Sequence, residues 1–93
     1  MSNLRDVVEL VARALADEPQ KVSVTETEHR GTTLLEVVAA PPDVGKMIGR
    51  QGRTIAAMRT LVGAAAERQG KKVTLEKIDR KTTRVGTMAS KEL

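Results

Sequence analysis

The sequence contains no cysteine and no phenylalanine, tyrosine or tryptophan. The first absence removes disulfides, thiolate zinc sites and cysteine nucleophiles together, and it fits a cytoplasmic setting. The second removes the stacked aromatic platforms with which RRM-like sheets and most OB-folds hold bases. Histidine occurs once, at His29, so neither a histidine metal cluster nor a Ser-His-Asp triad can be assembled. No apolar run near the N-terminus has the length of a signal core or a membrane span. The first amphipathic stretch is broken by Asp6, Glu9 and Arg13. Nothing here calls for a cofactor, a metal, a membrane or a small-molecule substrate.

What is present is one small domain of 93 residues, 40% of them hydrophobic, enough for a thin core. The net charge of +4 is unevenly spread. The first forty residues hold seven acids, whereas the stretch from Val44 to Ala66 holds Lys46, Arg50, Arg53 and Arg59 and no acid at all. A second basic excess lies after Asp79, in Arg80, Lys81, Arg84 and Lys91 against Glu92. Segregated positive charge of this kind suits a polyanion.

Apolar periodicity places the elements. Leu4, Val7, Val8, Val11 and Leu15 recur at helical spacing and predict an amphipathic helix over about residues 3 to 17, stopped near Pro19. Val22 and Val24 alternate with Lys21, Ser23 and Thr25 as a strand. The run Glu28-His29-Arg30-Gly31 reads as a turn, and Thr32 to Ala40 as a second strand with Leu35, Val37 and Ala39 on one face. Pro41-Pro42-Asp43 ends that strand and opens a short helix to about Met47. A longer helix follows from about Gly52 to Gln69, with Ile55, Met58, Val62 and Ala65 inward. Gly63 inside it suggests close packing, and Gly70 caps it. Lys72 to Ile78 is the third strand. The expected architecture is an α+β two-layer sandwich, with three helices on one face of a three-stranded sheet. Residues 1–79 form the domain, and residues 80–93 form a basic, disordered tail.

The chemistry concentrates at Ile48-Gly49-Arg50-Gln51-Gly52-Arg53-Thr54-Ile55, between the second and third helices. A Gly-x-x-Gly corner there exposes backbone at a helix N-terminus, where amides and dipole favour an anion. It does not fit a nucleotide-hydrolysing P-loop. Counted from Gly45, Arg50 stands where the second glycine of that motif belongs. Without paired acids or a nucleophile–base couple near the corner, no enzyme is expected.

The run from Val44 to Ile55, an aliphatic-Ile-Gly-x-x-Gly-x-x-Ile pattern between two helices, resembles the signature of a KH domain. The αββααβ order resembles the type II arrangement. The Pro-Pro-Asp-Val-Gly-Lys opening and the Arg-Thr-Ile-Ala-Ala-Met-Arg-Thr-Leu run resemble the KhpA family of small bacterial RNA-binding proteins. The likeness covers about residues 3 to 79.

This resemblance implies a groove beside the corner that grips about four single-stranded RNA nucleotides. Gly49 and Gly52 would admit phosphate. Arg50 and Gln51 would project from the tip, with Lys46 and Arg53 as flanking phosphate contacts. Val44, Ile48 and strand residues near Val37 would floor the groove. The resemblance also implies a post-transcriptional regulator or RNA chaperone. Its partners would be a second copy or KhpB, a larger Jag-like protein with its own KH domain. The alternative is a protein-interaction subunit with little RNA binding, using the open sheet face with Leu34 and Val38 or the Leu61 side of the long helix. Arg59 reads as ordinary surface.

Overall fold

The computed structural model describes residues 4–81. Its elements are α1 (Leu4–Leu15), β1 (Ser23–His29), β2 (Thr32–Ala39), α2 (Pro41–Ile48), α3 (Arg53–Arg68) and β3 (Val73–Arg80). Single 3-10 turns occupy Pro19–Lys21 and Arg50–Gly52. This is the αββααβ order of the type II KH arrangement. Most of the expected tail, residues 82–93, lies outside the described residues, but Arg80 closes β3 and the Lys81 N–H donates to the Ala39 carbonyl (2.7 Å).

The sheet order is β1-β2-β3, with β1 antiparallel and β3 parallel to the central strand. Strand β2 carries the most β-branched and aliphatic residues, as suits a strand paired on both sides. Its Leu35, Val37 and Ala39 are buried beneath the helices. The alternate residues Leu34 and Val38 are half-buried on the other face, beside Thr27, Thr74, Ser23 and Asp79 of the neighbouring strands. That face is polar enough to meet water.

The core joins Leu35 and Leu75, paired across β2 and β3, to Met47 of α2, Met58 and Val62 of α3, and Val8 and Ala12 of α1. Burying each large aliphatic side chain contributes about 1.5–3 kcal/mol. After Leu35–Leu75 the register slips, because Glu36 pairs with Lys77 and leaves Glu76 as an extra residue. The Arg59 guanidinium of α3 donates to the carbonyls on either side of that slip, Leu75 (2.9 Å) and Glu76 (2.7 Å). Arg59 is therefore a strut between helix and sheet, not ordinary surface.

Three further expectations change. Strand β1 runs to His29, four residues beyond Thr25, held by pairing to β2 although Thr25 to His29 are all exposed. Gly63 is not a close-packing point, since a Cβ added there would meet no atom within 4 Å. Helix α1 buries Leu4, Val8 and Ala12, while Val7, Leu10, Val11 and Leu15 stay exposed.

The connections fix the ends of the domain. The parallel strands β2 and β3 finish together at Ala39 and Arg80. Helix α3 leads back into the start of β3, so it begins at the end where those strands finish. The Gly-x-x-Gly corner therefore lies at that end, and the Arg30-Gly31 turn lies at the other.

Candidate nucleic-acid interface

Helix α2 starts with Pro41 and Pro42, whose missing N–H groups would have no intrahelical partner at these positions. The Asp43 N–H closes the first turn on the Ala40 carbonyl (2.8 Å). The Asp43 carboxylate is buried, 1% exposed, and works across the structure. Its Oδ1 accepts the Asp17 N–H and its Oδ2 the Glu18 N–H, both at 3.0 Å. These two amides, then a smaller attraction from Lys46, hold its carboxyl below the usual aspartate range, and desolvation opposes them only in part. Asp43 thus ties the segment after α1 to the first turn of α2.

The helix stops at Gly49, where φ 81° and ψ 169° turn the chain outward. The Gly49 N–H still reaches the Gly45 carbonyl (2.9 Å), and the Gly52 N–H bonds back to the Gly49 carbonyl (3.0 Å). Gln51 (φ 57°, ψ 26°) and Gly52 (φ 73°, ψ 16°) are both left-handed. Three of the four corner residues therefore have positive φ. Gln51 lacks the freedom of glycine there, a strain that a left-handed non-glycine residue carries. At Gly49 the requirement is also one of space, because an added Cβ would lie 2.3 Å from Thr54 Oγ1 and 2.8 Å from the Thr54 nitrogen.

The start of α3 is open to an anion. Gly52 supplies no side-chain cap, and no acid stands in the first turn. The Arg53 N–H is used by the Arg50 carbonyl. The next amides face the corner with the positive end of the helix dipole behind them. Arg50, Gln51 and Arg53 are exposed, and Arg53 Nη2 donates to Gln51 Oε1 at 3.4 Å. Among the described residues no acid pairs with Arg50 or Arg53.

The expected site residues therefore divide. Ile48, Gly49, Arg50, Gln51, Gly52 and Arg53 are contiguous at the corner. Val44 and Ile48, one turn apart on α2, are half-buried and leave aliphatic surface beside it, joined by half-buried Ile55 of α3. Lys46 lies on the opposite side of α2 from that pair and forms an ion pair with Asp17. That hydrogen bond raises its pKa, so the ammonium stays charged but already has a partner. Val37 is 0% exposed and cannot floor a groove, because the helices cover it. Nothing in the sequence singles out Thr54. Its contact with Gly49 follows only from the folded corner.

Two surface cavities lie at the far end of the domain, around Gly31, Gly70, Lys71 and Lys72. Among the described residues no three His, Asp or Glu side chains converge on a metal position, and no helix is long and apolar enough to cross a membrane.

Comparison with known proteins agrees with this geometry. The family described as "KhpA/KhpB, KH domain" matches residues 5–76. The "RNA-binding protein KhpA" of Aquifex aeolicus is 46% identical over 76 residues, covering 82% of this chain and 96% of that protein. The protein of the same name from Clostridium perfringens is 43% identical over 73 residues, 78% of this chain and 97% of its own length. A crystal structure of a point variant of Aquifex aeolicus Era bound to GDP·AlF4− superposes with a TM-score of 0.58 at 15% identity. The match covers 84% of this chain and 30% of that one, a likeness of fold alone.

Proposed function

Because the chain belongs to the KhpA/KhpB family of KH domains, we propose that it is a non-catalytic, single-stranded RNA-binding protein of the cytoplasm. Its corner grips the backbone of about four nucleotides. One observation carries this reading: an uncapped, acid-free helix start behind a left-handed glycine corner, with Arg50 and Arg53 beside it and no acid paired with either among the described residues. In this reading phosphates meet the first free amides of α3 and the guanidinium of Arg50. Gln51 and Arg53, already in contact, offer hydrogen bonds and a second charge. Val44, Ile48 and Ile55 lie under the bases as aliphatic surface, which needs no aromatic residue. Lys46 adds only long-range attraction, since Asp17 balances its charge locally.

Neutralising three or four phosphates on a single strand gives a log–log salt slope of about −2 to −3. That footprint makes one copy a weak and unselective binder. Tighter binding then comes from a second KH module, in another copy of the chain or in a KhpB-type partner. Such a pairing suits a post-transcriptional regulator or RNA chaperone.

The test replaces Arg50 and Gln51 together with Asp. Fluorescence anisotropy then follows a short single-stranded RNA across a salt series, with circular dichroism to verify folding. The double variant is expected to lose at least tenfold in affinity and to flatten the slope. Undiminished binding by the folded variant rules out the corner as the RNA site.

A further inference from the structure

Arg59 supports β3 and is nevertheless exposed. Successive carbonyls of a regular strand point to opposite edges. The extra residue at the slip in β3 lets the Leu75 and Glu76 carbonyls accept from one side chain. Nε donates to the first and Nη2 to the second, so the guanidinium plane is fixed at two points. No acid pairs with Arg59 among the described residues. In a chain without aromatic residues, such a plane has a specific use. A guanidinium face stacks on a nucleobase much as an aromatic ring does. Because this one is already held, stacking on it costs little further side-chain freedom.

The helix around Arg59 leaves room for a ring. Ile55 and Gly63 stand four residues before and after it on the same side of α3. Ile55 belongs to the aliphatic surface that begins at the corner. Gly63 lies inside the helix, where glycine costs about 1 kcal/mol against alanine, and a Cβ there would meet nothing within 4 Å. A cavity of about 590 Å³ opens at Gly63 and reaches Val73 and Thr74, the residues just before Leu75. That size is common among small-ligand sites. Lys71 and Lys72 stand at its far end, and neither pairs with an acid among the described residues. Glu67 is the one acid that lines it.

We propose that the Gly63 side of the Arg59 guanidinium is a nucleobase-stacking site. It takes an RNA base beyond those gripped at the corner, while Lys71 and Lys72 attract the phosphates that follow. This inference rests on the RNA-binding reading and extends it along α3. Arg59 is six residues, about 9 Å, past Arg53 at the helix start, so one strand can reach both. Stacking suits the site better than readout of a base edge. Arg59 already occupies the two carbonyls that the amino group of a base would need. The site therefore favours purines, with their larger ring face, and reads no particular sequence. A peptide strand added to β3 is the poorer occupant. The slip interrupts the ladder there, and Arg59 covers the acceptors.

Fluorescence anisotropy with eight-nucleotide adenosine RNAs tests the site, each RNA carrying one abasic position at a different place. For the wild type, at least one abasic position is expected to weaken binding about fivefold or more, and that penalty to vanish in two variants. Arg59→Lys keeps the charge and loses the plane. Gly63→Leu keeps Arg59 and fills the space beside it. Circular dichroism verifies folding of both, and Gly63→Leu removes a helix-weakening residue, so it decides the matter where Arg59→Lys does not fold. A merely structural role for Arg59 would lower the affinity for every RNA alike and leave the positional penalties standing. A wild type indifferent to every abasic position overturns the proposal, as do penalties unchanged in folded Gly63→Leu. The Arg50→Asp, Gln51→Asp protein separates the two readings. RNA binding that needs the corner but shows no abasic penalty sinks the stacking site alone. A corner variant with undiminished binding and an intact penalty sinks the corner alone.

Discussion

Gly49 and Gly52 look equivalent in the sequence motif and share a positive φ, but the fold leaves room for a side chain at only one of them. At Gly49 the backbone occupies φ 81°, ψ 169°, a region held almost only by glycine, and a Cβ would lie 2.3 Å from Thr54 Oγ1, 2.7 Å from Thr54 Cβ and 2.8 Å from the Thr54 nitrogen. At Gly52 the backbone is ordinary left-handed, and a Cβ would meet nothing within 4 Å. An alanine at Gly52 therefore costs only the left-handed conformation, about 1–2 kcal/mol. One at Gly49 costs about 1–3 kcal/mol of backbone strain and about 1–3 kcal/mol more for forcing Thr54 aside. Gly49→Ala should then be less stable than Gly52→Ala by about 2 kcal/mol. With a slope of about 1 kcal/mol/M for a small domain, urea midpoints should differ by about 2 M. Adding Thr54→Ala to Gly49→Ala should recover only part of the loss, because the contacts with Thr54 Cβ and the backbone nitrogen remain. Equal midpoints for the two single variants would refute the assignment of Gly49 to a sterically closed position.

Two other expectations concern the supports of the corner. Arg59→Ala removes charged hydrogen bonds to the Leu75 and Glu76 carbonyls and should destabilise the domain by about 1–2 kcal/mol in urea unfolding. A neutral effect would make the strut incidental. The contribution of the Asp43 carboxylate, whose folded pKa is lowered by the Asp17 and Glu18 amides, is fully present above the ordinary aspartate pKa and lost as pH falls through the lowered value. The stability gap between wild type and Asp43→Asn should accordingly be widest near neutral pH and shrink in acid. A gap that does not change with pH would contradict that origin.

Much of this protein can be read along the chain because its signals are local. Pro41-Pro42-Asp43 opens a helix, two glycines turn the corner, and alternation in Leu35, Val37 and Ala39 names the buried face of β2. Spacing ends strand β1 too early because Thr25 to His29 show no alternation of burial, and only pairing with β2 extends them. Periodicity likewise gathers the apolar residues of α1 into one inward stripe. Their arc is wider than the area the sheet and α3 can cover.

The element order, the place of the corner and its charge depend on residue types a few positions apart, so they can be read along the chain. Which of those residues are available depends on packing between elements. It matched Lys46 with Asp17, 29 residues away, buried Val37 beneath the helices, and pressed Thr54 against Gly49. It also left Val7, Leu10 and Val11 on the outside. Propensity and periodicity act within an element, but burial and charge pairing depend on what another element brings alongside, and spacing along the chain does not record that.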